Sequence, residues 1–369
     1  MEIIMNEWLS PSSGQRLANC PGSYRAGKGL PELQTSGDAE RGTRIHKYIS
    51  TLLGNVLGGV GDVPENVGVA LEERDAAESV MTRLLDLFAK HGKPVDWGIE
   101  SAVKLYSEAN VLLWQGRCDF WFVADDRTLH VCDWKTGFGE VPEAAVNMQT
   151  RIYLCAVYLK QVGKGSKSFV DARAHILTPR GISTAVYTSN DMGDALEEVE
   201  LIWQNAMDAN APRKTGPWCR YCPALGTGRC QESHAMGRLT LDVCSRGLTA
   251  ETLGRVLDVA PVIEEAIERA RLQAKQMLTE NPEAIPGWEL KPGVQRRIED
   301  VVGAFSAMRG VLSEEDLRRC CKLGVGAVEE AVRGKLGMKA KEARAFVAER
   351  LGGLIEEKQN APSLKKRGE

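Results

Sequence analysis

The stretch Gly116-Arg-Cys-Asp-Phe-Trp-Phe-Val-Ala-Asp-Asp-Arg-Thr-Leu-His-Val-Cys-Asp-Trp-Lys135 decides the fold of this chain and points to its chemistry. Two apolar strands flank Asp125-Asp-Arg127, a length that suits a three-residue hairpin loop. The register set by that loop places Asp119 directly opposite Asp133. Because side chains alternate along a strand, Lys135 shares a face with Asp133.

The two aspartates are predicted to hold a divalent cation. Carboxylates about 4.5–5.5 Å apart across two strands repel each other unless a cation lies between them. Oxygen ligands of this kind suit Mg²⁺ or Mn²⁺, and Lys135 beside the cation can orient or deprotonate a water. The alternative is that these residues are solvated, as Asp and Lys in strands usually are. Their apolar flanks favour metal-assisted phosphodiester hydrolysis, because a buried charge needs a partner.

Length and composition are those of an ordinary globular protein. The chain has 369 residues, of which 43% are hydrophobic and 26% charged, so we expect two or three domains. It contains no run of about 18 apolar residues, and we expect no transmembrane helix and no membrane partner. The start, Met1–Trp8, lacks the basic and apolar regions of a secretion signal.

The net charge of −3 gives no overall attraction to nucleic acid. Contact with DNA would therefore need a local basic patch. The predicted contacts lie on one helix close to the proposed site: Arg41, Arg44 and Lys47. The alternative for each is a solvated surface charge.

Hydropathy predicts mixed α/β structure in the first two thirds and helices alone in the last third. Predicted helices before residue 240 span 38–53, 71–91, 142–160 and 192–207. Predicted strands span 97–106, 111–124, 128–135, 168–177 and 182–188. Later helices are predicted over 249–280, 300–309, 313–322, 325–335 and 339–357. The predicted domains are 1–240 and 249–360, with a disordered tail at 361–369.

Cysteines provide a second signal. Cys219 and Cys222 form a Cys-x-x-Cys pair in a Gly/Pro-rich loop that also contains Cys230, which is spacing typical of metal or cluster ligands. The fourth ligand would be Cys20 or Cys244. A [4Fe–4S] cluster and a structural Zn²⁺ would both accept four thiolates. The alternatives are free cysteines, or a redox pair for which no strand–Cys-x-x-Cys–helix context is visible.

Four further polar residues have both a functional and a structural interpretation. His46 on a helix could ligate the metal, although a lone helical histidine is usually a surface or core residue. Gln149 and Tyr153 are four residues apart and share a helix face, where they could hold a phosphate or water. Glu100 is interpreted as a surface residue rather than an outer acid of the site.

Together these motifs resemble RecB-type nucleases of the PD-(D/E)XK superfamily, in their order along the chain. The matching segments are Gly42-Thr-Arg-Ile-His46, Gly116-Arg-Cys-Asp119, Asp133-Trp-Lys135 and Gln149-Thr-Arg-Ile-Tyr153. The early and late cysteines resemble the iron–sulfur site of CRISPR-associated and helicase-linked nucleases. The whole is closest to an uncharacterised phage and prophage branch. The gap from Cys222 to Cys230 is longer than that family leads us to expect, and no helicase motif is visible.

The resemblance implies a restriction-endonuclease-like α/β core, with a mixed sheet flanked by helices, and an all-α C-terminal region. It implies a Mg²⁺- or Mn²⁺-dependent DNase, an exonuclease acting at DNA ends in phage recombination or repair, in the cytoplasm of a bacterial host. His46, Asp119, Asp133 and the Trp134 carbonyl would bind metal, and Lys135, Gln149 and Tyr153 would assist catalysis. Cys20, Cys219, Cys222 and Cys230 would bind the [4Fe–4S] cluster. A single-strand annealing protein or another recombination factor would be the partner.

Two rival hypotheses remain open from the sequence. One is a nucleic-acid-binding module that keeps the fold but has lost catalysis, against which the intact Asp/Asp/Lys set argues. The other is a redox or electron-transfer protein built on Cys219, Cys222 and Cys230. The polarity, strand preference and oligomeric state are not encoded in any motif that we recognise.

Overall fold

The computed structural model describes residues 7–30, 37–58, 69, 71–137, 141–163, 169–246, 249–290 and 325–351. Helices α1 to α4 span Gly14–Asn19, Ser23–Gly27, Gly37–Gly58 and Leu71–His91. Strands β1 to β5 span Pro94–Tyr106, Leu112–Ala124, Leu129–Trp134, Ala172–Thr178 and Gly181–Tyr187. Helices α5 to α8 span Met148–Gly163, Ser189–Met207, Gln231–Arg246 and Ala250–Glu280, and short 3₁₀ helices span Pro11–Ser13 and Pro217–Tyr221.

Strands β1 to β5 form one mixed sheet in which the spatial order follows the chain order. Neighbouring strands are antiparallel except β3 and β4, which are parallel. A parallel pair cannot be joined by a hairpin, and α5 makes the crossover between these two strands. The predicted α/β class, with a mixed central sheet flanked by helices and further helices near the C-terminus, is confirmed.

Alternation along the strands divides the core into two layers. On one side, Val131 belongs to a buried cluster with Ile152 of α5. On the other side, Phe122 packs in a second cluster with Ile45 of α3 and Leu84 of α4. The sheet therefore lies between α3/α4 and α5/α6, and its central strands are apolar on both faces.

The β2–β3 hairpin has the predicted loop and register. The Ala124 N–H donates to the Thr128 carbonyl at 2.9 Å, and the Arg127 N–H donates to the Ala124 carbonyl at 3.0 Å. Arg127 has φ +66°, the left-handed residue that a three-residue hairpin loop requires. The same register continues as far as Phe120 opposite Cys132.

Helix α5 begins later than the hydropathy pattern predicts. The predicted start is residue 142, whereas the helix begins at Met148. The Asn147 side chain accepts a hydrogen bond from the Thr150 N–H at 3.1 Å, which makes Asn147 the N-cap. Periodicity could not locate this boundary because Pro142–Val146 is also partly apolar.

Two units divide the chain, residues 1–290 and 291–369. The first contains the sheet and also α8, which the sequence predicts as part of the C-terminal region. The second contains α9, Val325–Leu336, and α10, Ala340–Leu351. The helices predicted over 300–309 and 313–322, and the tail at 361–369, lie outside the described residues. None of the described helices is both long and apolar enough to cross a membrane.

A chain of hydrogen bonds links two buried histidines to the hairpin loop. His130 Nδ1 lies 2.9 Å from His175 Nε2, and His175 Nδ1 lies 2.9 Å from Thr184 Oγ1. At the other end, Thr128 Oγ1 lies 2.6 Å from His130 Nε2 and 2.5 Å from Asp126 Oδ1. Thr128 has one proton, which goes to the carboxylate, so His130 donates to Thr128 and accepts from His175. Both rings are therefore neutral.

His91 completes this network from the end of α4. Its Nδ1 lies 3.2 Å from Asp126 Oδ2, and its Nε2 accepts from Arg173 at 3.0 Å. The guanidinium can only donate, so Nε2 of His91 is the acceptor in this contact. Burial is the largest of the effects that lower the pKa of His130 to about 3, and the positive charge of Arg173 is another.

We expect this network to make the fold sensitive to acid. The folded chain holds the pKa of His130 at about 3, below its ordinary value of 6.5, so the unfolded chain binds more protons below pH 6.5. The contribution of neutral His130 to the free energy of unfolding is fully present above pH 6.5, and it is lost progressively as the pH falls toward 3. The loss between pH 6.5 and 5 should be about 2 kcal/mol, measured by urea unfolding.

The variant His130→Gln should unfold with a shallower pH dependence over this range than the wild type. His234, which is exposed, provides the control, and His234→Gln should keep the wild-type dependence. Equal pH dependence in wild type and His130→Gln would contradict this account of the network.

Candidate metal centre

The observed pairing of β2 and β3 ends at Phe120 opposite Cys132, and Asp119 and Asp133 are the next residues on the two strands. Both are largely buried, with exposures of 8% and 2%. Asp119 Oδ2 accepts a hydrogen bond from the Trp134 N–H at 3.0 Å, which fixes this carboxylate between the two strands. Burial raises the pKa of Asp133; the charge of Lys135 opposes that rise and the charge of Asp119 adds to it.

His46 reaches the aspartates from α3. Ile45 and Ile49 on this helix are fully buried against the sheet, which brings the neighbouring His46 to the sheet edge. Its Nδ1 lies 3.5 Å from Asp119 Oδ1, and its ring edge meets Trp134 at 6.1 Å between centroids. Burial lowers the pKa of His46, but the hydrogen bond and charge of Asp119 outweigh it and leave the pKa above its ordinary value.

Glu100 belongs to this centre, contrary to its interpretation as a surface residue. Its φ of +45° is left-handed, and the β1–β2 register is the same on both sides of it, with Ile99 opposite Phe120 and Ser101 opposite Cys118. That register puts Glu100 across from Asp119, and ligand atoms of His46, Glu100 and Asp119 all lie within 4.8 Å of one another. Burial, and next the charge of Asp119, raise the pKa of Glu100.

Lys135 is held by two partners. Its Nζ lies 2.9 Å from Asp133 Oδ2 and donates to Gln149 Oε1 at 2.9 Å. Burial lowers the pKa of Lys135, but the charge and hydrogen bond of Asp133 outweigh it, so the pKa lies above its ordinary value. Burial also raises the pKa of Tyr153, against the hydrogen bond from Gln149. Lys135 is therefore a charged donor, and Tyr153 keeps its proton.

One oxygen of Asp133 lacks a hydrogen bond. Oδ2 lies close to Lys135 Nζ, but the angles are not those of a hydrogen bond, and Oδ1 is the acceptor at 3.2 Å. Four buried side-chain atoms of the described residues have no hydrogen-bond partner: Arg74 Nε, Asp133 Oδ2, Trp134 Nε1 and Thr136 Oγ1. The last three lie in consecutive or nearby residues of this site. An unsatisfied buried carboxylate oxygen is costly, and a bound cation would satisfy it.

A groove of about 580 Å³ opens beside His46 and Glu100. Lys47 and Arg117, both exposed, are the cationic residues that line it. Of the other predicted DNA contacts, Arg44 forms an ion pair with Glu73 at 2.6 Å. Arg41 donates to the Thr136 carbonyl at 3.0 Å, in the loop after β3. Only Lys47 of the three predicted residues lines the groove, and Arg117 was not among them.

The four cysteines predicted to act together come from segments that pack on each other. The Cys222 N–H donates to the Cys219 carbonyl at 3.0 Å, and Cys20 Sγ accepts from the Lys214 N–H at 3.3 Å. Burial raises the pKa of Cys219, and charge on Cys222, Cys20 and Cys230 raises it further. Charge on the other three cysteines therefore affects the pKa of Cys219, which indicates that the four thiols are near neighbours. The side chain of Cys244, the other predicted fourth ligand, lies outside the described residues.

Arg16 lies among these cysteines and lacks a carboxylate partner among the described residues. Its Nη1 donates to Ser23 Oγ at 2.6 Å. Burial lowers the pKa of Arg16, and charge on Cys222, Cys20 and Cys219 opposes the fall. Arg16 is half-buried, and a guanidinium partly removed from water remains charged and is stabilised by a negative partner, which thiolates would provide.

The comparisons with known proteins identify a family but not an activity. Residues 7–367 match the family described as "Protein of unknown function (DUF2800)". A comparison with curated proteins finds no match. A solved structure titled "Crystal structure of SSO0001" is similar over 60% of this chain and 85% of its own, with 14% identity and a TM-score of 0.27. At that TM-score the similarity carries no argument.

Glu100 provides a direct test of the metal centre. We expect Glu100→Gln to weaken Mn²⁺ binding by roughly 10- to 100-fold, because it removes a charge while keeping the shape of the side chain. Titration calorimetry of the full chain measures this. Glu108→Gln, in the exposed turn between β1 and β2, is the matched control and should bind like wild type. Equal affinity in wild type and Glu100→Gln would remove Glu100 from the centre.

Proposed function

Because the chain belongs to the DUF2800 family, whose function is unknown, we propose its function from the geometry of the metal centre. We propose a Mg²⁺- or Mn²⁺-dependent DNA nuclease that hydrolyses phosphodiester bonds. One observation carries the proposal: ligand atoms of His46, Glu100 and Asp119 lie within 4.8 Å of one another, and the Asp133–Lys135 pair lies beside them. Acidic ligands beside a buried charged lysine suit hydrolysis of a phosphate ester.

The donor set fits a hard divalent cation. Three carboxylates and one imidazole are ligands that Mn²⁺ and Mg²⁺ accept. His46, Asp119 and Asp133 would hold the ion, with Glu100 as an additional ligand. The predicted Trp134 carbonyl faces the same neighbouring strand as the Trp134 N–H, which bonds Asp119, because both backbone groups of a strand residue point to one side.

The protein side chains would orient the reactants. A bound cation lowers the pKa of water and stabilises charge on the phosphate. Lys135, kept charged by Asp133, can donate to the attacking water or to a phosphate oxygen. Gln149 accepts from Lys135 and restricts where its Nζ lies. The Tyr153 hydroxyl accepts a hydrogen bond from the Gln149 amide and would in turn hold that amide in place.

The finer assignments rest on the resemblance. We propose a restriction-endonuclease-like nuclease of the RecB type within the PD-(D/E)XK superfamily. It would act as an exonuclease at DNA ends in phage recombination or repair, in the cytoplasm of a bacterial host. A single-strand annealing protein or another recombination factor would be its partner. The grouping of His46, Glu100 and Asp119 beside the Asp133–Lys135 pair supports the nuclease assignment.

We also propose that Cys20, Cys219, Cys222 and Cys230 hold a [4Fe–4S] cluster. A zinc ion with bonds of about 2.3 Å draws its four sulfurs to about 3.8 Å apart. In the described part of the chain, no three of these sulfurs lie within 4.8 Å of one another, and the preference for an iron–sulfur cluster over zinc rests on the resemblance. The site would join the N-terminal segment to the loop after α6, a structural role.

The proposed activity predicts metal-dependent loss of end-labelled DNA. We expect Lys135→Ala to lower the cleavage rate by roughly 10²- to 10³-fold, the usual effect of removing one charge-stabilising donor. Lys104→Ala, an exposed lysine on β1, is the control and should cleave like wild type. Thermal unfolding of each variant checks that the fold is intact.

Cleavage without added Mg²⁺ or Mn²⁺, or equal rates in wild type and Lys135→Ala, would contradict the proposal. A wild type that binds DNA tightly but leaves it intact with both metals would support a non-catalytic binding module instead.

The cluster proposal predicts a colour. Anaerobically purified protein should absorb broadly near the visible range and contain about four iron atoms per chain. We expect Cys222→Ala to lose the absorbance and to unfold at lower temperature, whereas Cys155→Ala, a buried cysteine of α5, should keep the absorbance. A colourless protein with one zinc per chain would instead establish the zinc alternative.

A further inference from the structure

The groove beside the metal centre has walls from two different elements. Lys47, Ser50 and Thr51 line it from α3, and Glu100 and Arg117 line it from β1 and β2. His46 lies at the same groove and is also a member of the ligand group. A molecule in the groove would therefore extend directly into the proposed centre.

The basic residues near this groove differ in whether their charge is already neutralised. Arg44 forms a two-pronged contact with Glu73, at 2.6 and 3.4 Å, and Glu73 is only 4% exposed. Lys47 and Arg117 are exposed on the groove wall. The positive charge of Arg117 lowers the pKa of Glu100, against the effect of burial. Arg117 therefore interacts electrostatically with the metal centre.

The rest of the lining suits a sugar–phosphate backbone. Small hydroxyl side chains on α3, those of Thr43, Ser50 and Thr51, leave room for a strand. Ser50 and Thr51 donate their protons to backbone carbonyls of their own helix. The phosphate contacts therefore come from Lys47 and Arg117, as is usual for Lys and Arg. No Trp, Tyr or Phe is among the residues that line the groove in the described part of the chain. Stacking of bases, which needs an aromatic platform, is thus not provided there.

We propose that this groove is the path of the substrate strand, with Arg117 and Lys47 each contacting a phosphate next to the scissile one. The ligand is the backbone of a nucleic-acid strand, bound without regard to base sequence. This inference rests on the proposed function, since it places the strand relative to the metal centre. It assigns a DNA-binding role to Arg117, and it replaces the sequence-based prediction that Arg44 contacts DNA.

Salt-dependent binding of the full chain tests the proposal. The probe is a fluorescently labelled single-stranded oligonucleotide of mixed sequence, followed by anisotropy with Ca²⁺ in place of Mg²⁺ to prevent cleavage. Removal of one phosphate-binding side chain should lower the slope of log affinity against log salt by about 0.7. We expect this reduction in Arg117→Ala and in Lys47→Ala, with affinity falling roughly five- to tenfold at low salt.

Two variants control for indirect effects. Arg117→Lys should keep the salt slope, because it keeps the charge, and Arg44→Ala should keep both slope and affinity. A second oligonucleotide of different sequence should give the same values for every variant. Unchanged slopes in both Arg117→Ala and Lys47→Ala, or complete loss of binding in Arg44→Ala, would overturn the proposal.

Failure of this inference is distinguishable from failure of the proposed function. If the wild type cleaves DNA with Mg²⁺ but Arg117→Ala and Lys47→Ala keep the wild-type salt slopes, the nuclease proposal stands and the proposed strand path is wrong. If the variants show the predicted change in salt slope but the wild type does not cleave DNA, the proposed strand path stands and the nuclease proposal is wrong. Absence of binding by the wild type would overturn the path directly.

Discussion

The register of the β2–β3 hairpin is the constraint on which the metal centre depends. A shift of one residue would move every side chain of β3 to the opposite face and separate Asp133 from Asp119. The loop Asp125–Arg127 fixes the register at one end, and the bond from the Trp134 N–H to Asp119 fixes it at the other. The histidine network under the loop joins β3 and β4, so the end far from the metal centre also resists slippage.

Charge is concentrated at the other end of the same strands, where it is costly without a cation. Asp119 and Asp133 are buried side by side, and Lys135 compensates only one of them closely. Glu100 adds a third carboxylate through a strained backbone conformation. Strain and unpaired charge of this kind are typical of functional sites rather than of structural ones. They account for the arrangement if a divalent ion binds there.

Local patterns in the sequence predicted the strands, the hairpin and the nearness of Asp119, Asp133 and Lys135, and the resemblance added His46. They could not predict what depends on tertiary contacts. Glu100 joins the centre because the β1–β2 register puts it across from Asp119, and no local signal in the sequence fixes that register or marks a left-handed glutamate. The ion pair of Arg44 with Glu73 depends on how α3 packs against α4, which hydropathy does not specify.

The central claim is that the side chains around Asp119 bind a divalent ion at one position. Anomalous diffraction at the manganese edge, from crystals grown with Mn²⁺, tests it most directly. We predict an anomalous peak in contact with Asp119 and Asp133, with His46 and Glu100 completing the protein ligands. A map with no peak there, or with Lys135 Nζ occupying the position between the two aspartates, would contradict the account.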